Sequence, residues 1–70
     1  MNTATLATLA ALCTEAVRQY IEACASPDDA TLEGLLDVND AGFSAWKADG
    51  YDWRAVSAGL ADAWAAHVSA

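Results

Sequence analysis

Alanine fills 18 of the 70 positions, and it limits what this chain can fold into more than any motif does. Alanine heads the helix-propensity order because it loses no side-chain entropy in a helix. Strands draw instead on β-branched and aromatic residues. No segment alternates apolar and polar residues as a half-buried strand would, so an all-α fold is expected. The same abundance thins the core. Hydrophobic residues make up 56% of the chain, but nearly half of them are alanines that bury little area each. A domain of this size removes only about 60% of its unfolded surface from water. Small scaffolds compensate with disulfides, a metal or a second copy, and a homodimer sharing the core is the expected remedy.

The periodicity predicts one domain over residues 1–70: a compact bundle of one long N-terminal helix, two short central helices in a helix-turn-helix-like order and one C-terminal helix. In NTATLATLAALCTEAVRQYIEACA, Leu6, Leu9, Cys13, Val17, Tyr20 and Cys24 recur at steps of three and four, the helical period. Leu12 and Ile21 widen that stripe, Asn2 or Thr3 can cap it, and an antiparallel partner helix, from this chain or another, would suit it. In SPDD, Ser26 is a cap, Pro27 suits a first helical turn, and Asp28 and Asp29 lie where a helix dipole favours anions. A second helix over 27–36 is expected to bury Leu32, Leu35 and Leu36, with Gly34 weakening it by roughly 1 kcal/mol. Asn39 is placed as the cap of a third helix over 40–48 that carries Phe43 and Trp46 on one side. Asp49-Gly50 is a stop, glycine supplying the left-handed cap. Asp52 then caps a fourth helix over 53–68 with the stripe Trp53, Val56, Leu60, Ala63 with Trp64, and His67 with Val68. Trp53 and Trp64 are assigned inward. Gly59 is read as the mark of a close helix crossing.

The net charge of −7 is a property of the middle. Residues 1–25 carry Glu15, Glu22 and Arg18. Residues 26–52 carry seven acids against Lys47 alone, and residues 53–70 balance Arg54 with Asp62. Three bases are too few to neutralise a nucleic-acid backbone or to hold an anionic membrane, so neither is an expected partner. No stretch reaches the roughly 20 apolar residues of a membrane span, and no signal-peptide pattern is visible; a cytoplasmic location is the default expectation. Cys13 and Cys24, if on one helix, are separated by about 16 Å of rise, beyond the roughly 7 Å a disulfide tolerates between Cα atoms. They read as small apolar residues of a reducing compartment, with a bridge between two antiparallel chains as the alternative.

The stretch DVNDAGFSAWKADGYDW gathers four acids around two Trp, one Phe and one Tyr. A calcium loop starting at Asp37 would have Asn39 and Gly42 in place. Ala41 and Ala48 then stand where oxygen ligands are needed, and the metal reading fails. TLEGLLDVNDAGFSAWKADGYD has the cadence of helix, short turn, helix. In spacing it resembles the repressor-type helix-turn-helix family, over about 25 residues. That resemblance implies DNA reading, but a recognition helix needs Arg, Lys, Asn or Gln aimed at base edges. Asp40, Ser44, Lys47 and Asp49 are the polar side chains on offer. Acidic helical chains of this length also resemble acyl carrier proteins, which need an Asp-Ser-Leu at a helix start; that tripeptide is absent.

His67 is the only histidine and lies near a helix end. A zinc site needs about four ligands, and two distant cysteines with this histidine do not assemble one. No enzyme, cofactor or metal is therefore expected. What remains is protein docking, because Trp and Tyr dominate interface energies when presented to a partner, and surrounding acids steer a basic one. Asp37, Asp40, Trp46, Asp49, Tyr51 and Asp52 are the expected contacts. In size, acidity and helicity the chain resembles phage-type inhibitors, including anti-CRISPR and DNA-mimic proteins and proteins that block transcription regulators. That likeness implies a module covering a basic or nucleic-acid-binding surface of a larger protein. The alternatives are a helix-turn-helix-like regulator or degenerate relative, and a structural or assembly subunit.

Overall fold

The computed structural model describes the backbone of residues 3–70 and the side chains of residues 8–70. Within them the chain is all-helical: α1 (Thr3–Ala23), a single 3-10 turn (Pro27–Asp29), α2 (Leu32–Ala41), α3 (Phe43–Ala48) and α4 (Trp53–Ser69). The expected capping by Asn2 or Thr3 falls outside the described side chains, as does Leu6 of the first stripe.

α1 and α4 are the backbone of the fold. Cys13 and Val17 of α1 meet Val56 and Leu60 of α4, and Leu35 of α2 completes the buried cluster. Gly59 permits the crossing, as its sequence position suggested. A Cβ placed there would lie 2.7 Å from Cys13 Sγ, closer than packed atoms tolerate. Leu9 and Cys13 adjoin Gly59, while Val17 and Ile21 share a hollow with Ala63 and His67. Residue numbers thus rise together along both helices, and the pair runs in the same direction. The antiparallel neighbour expected for α1 is the α2–α3 layer: Tyr20 lies over Gly34, Ala16 lines a hollow with Val38 and Asn39, and Leu12 lines one with Trp46, so residue numbers rise along that layer as they fall along α1. That return path lets α4 start beside the beginning of α1.

The second segment departs from its expected bounds. Ser26 does cap a turn, accepting a hydrogen bond from Asp28 N at 3.3 Å, but Pro27–Asp29 make only one 3-10 turn. Thr31 is the cap of α2, its hydroxyl accepting from Gly34 N at 3.0 Å. Helix α2 therefore starts five residues later than expected and runs on through Asp37, Val38, Asn39 and Asp40 to Ala41. The three- to four-residue turn of a helix-turn-helix is missing: Gly42 alone separates α2 from α3. The cadence that resembled a repressor motif comes from an almost continuous helix with one break.

Gly34 has a packing role beyond weakening the helix. Tyr20 Oη lies over it, 2.1 Å from where a Cβ would stand, and accepts a hydrogen bond from Thr31 N at 3.3 Å. The stop at Gly50 is as expected, with φ of +94°, a conformation that glycine adopts without strain. Asp52 Oδ1 then accepts from Ala55 N at 2.8 Å, capping α4. Trp53 and Trp64 are only half-buried, and His67 and Val68 stand in solvent. The apolar stripe of α4 ends in practice at Trp64. Cys13 is fully buried, Cys24 half-buried, and both are free thiols. Burial, with the Asp62 carboxylate adding, raises the Cys13 pKa above the usual thiol value. No helix among the described residues is long and apolar enough to cross a membrane.

Candidate protein-docking surface

Helix α3 has six residues and no fully buried side chain. Its position is set by two contacts. Phe43 meets Trp53 edge-on, ring centroids 5.9 Å apart and planes at 86°. Trp46 meets Tyr51 at 6.3 Å and 66°. Both are favourable quadrupole geometries, worth roughly 0.5–1.5 kcal/mol each beyond area burial. Tyr51 and Trp53 lie across the Gly50 turn, so that turn folds the start of α4 back onto α3.

Asn39 then fixes the indole of Trp46. Its Nδ2 donates to the Leu35 carbonyl at 2.8 Å, one turn back on α2, and its Oδ1 accepts from Trp46 Nε1 at 3.2 Å. The residue read as a helix cap from sequence is thus a bracket between α2 and α3. No local sequence signal separates those uses, because the bracket exists only once Gly42 has bent the chain.

The bracket holds Trp46 on the wall of a groove between α1 and the α2–α3 layer. One hollow of about 320 Å³ has Leu12 and Ala16 of α1 facing Ala45, Trp46 and Asp49 of α3. A second, of about 190 Å³, continues toward Tyr20 and Val38. Ala16, Gln19 and Asn39 line both, so the two form one channel with amides along its middle. Among the described residues three large apolar side chains are exposed, Leu12 (37%), Val38 (57%) and Val68, and two of them border this groove. Leu12 was expected to widen the core stripe. It lies one position before Cys13, which turns it off the stripe and onto the groove edge.

The charges divide into two groups. Arg18 Nε donates to Glu15 Oε2 at 2.9 Å, and its other nitrogens also bond Glu15 and Glu22. The hydrogen bond from Arg18, aided by one from Gln19, holds the Glu15 carboxyl below the usual carboxylate range, and Arg18 is raised in turn. All three side chains are exposed, so the cluster contributes little to stability. By contrast, none of the seven acids between residues 28 and 52 forms an ion pair, although Lys47 lies among them.

Trp46 and Asp49 share the groove, and Tyr51 supports Trp46 from behind. Asp37 and Asp40 are exposed on α2 but do not line it, and Asp52 is occupied as a cap. Sequence reasoning missed Leu12, Val38 and Asn39. Among the described residues no three His, Cys, Asp or Glu side chains come together as a metal would require. Comparison with known proteins finds no matching family, curated protein or solved structure, so the surface can be read only from its own chemistry.

Proposed function

We propose that this chain is a small, non-catalytic protein-binding module that docks a basic segment of a larger protein in the groove between α1 and α2–α3. The observation that carries this reading is a groove walled by Trp46 and Leu12 with Asp49 in its lining, in a molecule whose seven acids at residues 28–52 form no ion pair. An approaching Lys or Arg lays its alkyl stem on Leu12, Val38 and the Trp46 ring. Its charge reaches Asp49, with Asp37 and Asp40 adding to the field. Carboxylates outside any internal ion pair give up no salt bridge when engaged, and they speed the encounter with a basic surface. If that partner surface ordinarily binds nucleic acid, the module blocks it, in the manner of a DNA mimic or phage-type inhibitor. A homodimer presents two such grooves.

DNA reading by α2 and α3 is disfavoured by the single-residue link at Gly42, by the six-residue length of α3 and by the acids on both helices. The test is a titration of labelled protein with a lysine- and arginine-rich helical peptide at low salt, followed by amide and indole NMR shifts. Shifts should concentrate on Trp46, Asn39 and Leu12. Asp49→Lys should abolish them, whereas Asp28→Lys, away from the groove, should weaken binding only through net charge. Equal effects of the two substitutions, or shifts spread evenly over the acidic residues, would reduce the groove to a generic polyanion.

A further inference from the structure

The other side of α1 and α4 carries a second groove, distinct from the one at Trp46. Two hollows of about 460 and 490 Å³ share Thr14, Ala63 and Ala66, so they join along the helix pair. Ala10, Ala58 and Gly59 line one end; Val17, Ile21 and His67 line the other. No residue of α2 or α3 contributes to either hollow. The Cα trace is 37 × 26 × 16 Å, and 16 Å is the thickness of two helix layers packed 8–10 Å apart. α2 and α3 cover one side of the α1–α4 pair, and no described element covers the other.

The surface area says the same. The chain exposes 4664 Å², whereas a compact monomer of its mass should expose about 4,200 Å². A face left open would add surface of this order, and the excess is more than half of the roughly 800 Å² that one partner loses in a standard interface.

We infer that a second copy of this chain covers the α1–α4 face, making a twofold homodimer. Charge selects this occupant. The ionisable residues lining the two hollows are Arg18, Glu22, Asp62 and His67, whereas residues 26–52 hold a net six negative charges. Two chains of net charge −7 meet at least electrostatic cost through the face that lacks those acids. The near-neutral groove is also where alanine and glycine allow another helix pair to approach closely. In a twofold contact one patch meets itself, and both acidic layers then point outward, leaving both Trp46 grooves open. This inference stands apart from the docking of a basic partner, because the two faces share no element of α2 or α3.

Sedimentation equilibrium under reducing conditions reads the result directly. The native chain should sediment as two chains. Ala58 and Ala66 are exposed in the single chain, so Glu at both positions leaves the fold intact, as helical circular dichroism would verify. The A58E/A66E protein should sediment as one chain, with association weakened by about 100-fold or more, because unpaired charges would have to be buried. Ser44→Glu, which adds the same charge on exposed α3, should leave the dimer in place. Raised salt should strengthen association slightly by screening the net charge. A native chain that stays monomeric, a dimer that survives A58E/A66E, or one that S44E disrupts equally would each overturn the inference. Retained peptide binding by monomeric A58E/A66E would show that the Trp46 groove works regardless of the outcome.

Discussion

The α1–α4 layer and the α2–α3 layer solve the same problem, too few large apolar residues, in different ways. In α1–α4 the helices come close: Gly59 lets Cys13 sit against the α4 backbone, and Cys13, Val56 and Leu60 become fully buried. In α2–α3 only Leu35 is fully buried. Position there is held by directional contacts: Thr31 capping α2, Tyr20 over Gly34, Asn39 gripping Trp46, and two edge-on aromatic pairs. Close packing tolerates no added volume, whereas hydrogen bonds at a half-exposed surface can be lost at modest cost. The layer with the looser hold is also the one that carries the unpaired acids and the aromatic groove.

The sharpest way to break this comparison is to treat the two helical glycines alike. Gly59→Ala gains about 1 kcal/mol of helix propensity but drives a Cβ into the sulfur of a fully buried side chain. Overpacking of this kind costs about 1–3 kcal/mol, and Cys13 has no open space to enter. Together these give a net loss of up to about 2 kcal/mol in urea unfolding, and Cys13→Ala in the same chain should recover most of it. Failure of that rescue would mean that the crossing is not limited by this contact.

Asn39→Ala tests the α2–α3 bracket. It removes the acceptor of Trp46 Nε1, and a typical hydrogen bond is worth about 1 kcal/mol net. Trp46 is half-exposed, so water can partly replace Asn39 and the loss should stay near about 1 kcal/mol. The indole should become mobile, seen as a shifted Nε1–H resonance, and groove binding should weaken along with it. An unchanged indole signal would remove Asn39 from the account of the site.

Gly34→Ala should be smaller still. Its Cβ would also meet a neighbour, but that neighbour is the tip of half-buried Tyr20, which can swing outward. The helix gains about 1 kcal/mol and loses a hydrogen bond of similar worth, so stability should stay within about 1 kcal/mol of the native value. A Tyr20→Phe background, which lacks the oxygen, should make the same change more favourable. A loss as large as that of Gly59→Ala would mean that the two layers are equally tight.

Much of this architecture was legible from alanine content and apolar spacing: four α-helices, the bounds of α1 and α4, the Asp52 cap, the left-handed Gly50 and the crossing at Gly59. The middle was not. Ser26-Pro27 is a strong start signal, but Thr31 with its hydroxyl on Gly34 N is the cap that α2 uses, and local preference cannot rank two caps five residues apart. Asn39 fits a cap by type and a bracket by geometry, and the geometry is tertiary. Trp46 and Asp49 could be picked from sequence because aromatics among acids are conspicuous. Leu12 and Val38 could not, since an apolar residue beside a helical stripe reads as core until the neighbouring layer is known to stop short of it.

The smallest expected effect concerns charge and contrasts the paired acids of α1 with the unpaired acids of α2–α3. Glu15 has its carboxyl pKa lowered, first by the hydrogen bond from Arg18. A lowered folded-state value means that the unfolded chain binds more protons in that range. The contribution is therefore present above the unfolded glutamate pKa and lost as pH falls through the lower folded value. Glu15 is exposed, so the change is small, but its sign is fixed: Glu15→Gln should flatten the acid side of the stability–pH curve. The unpaired Asp37 and Asp40 oppose their neighbours' charge without internal compensation. Asp37→Asn or Asp40→Asn should instead raise stability slightly near neutral pH, by an amount that salt reduces. If Glu15→Gln and Asp37→Asn instead changed the curve in the same way, the division of the carboxylates into paired and unpaired groups would not hold in solution.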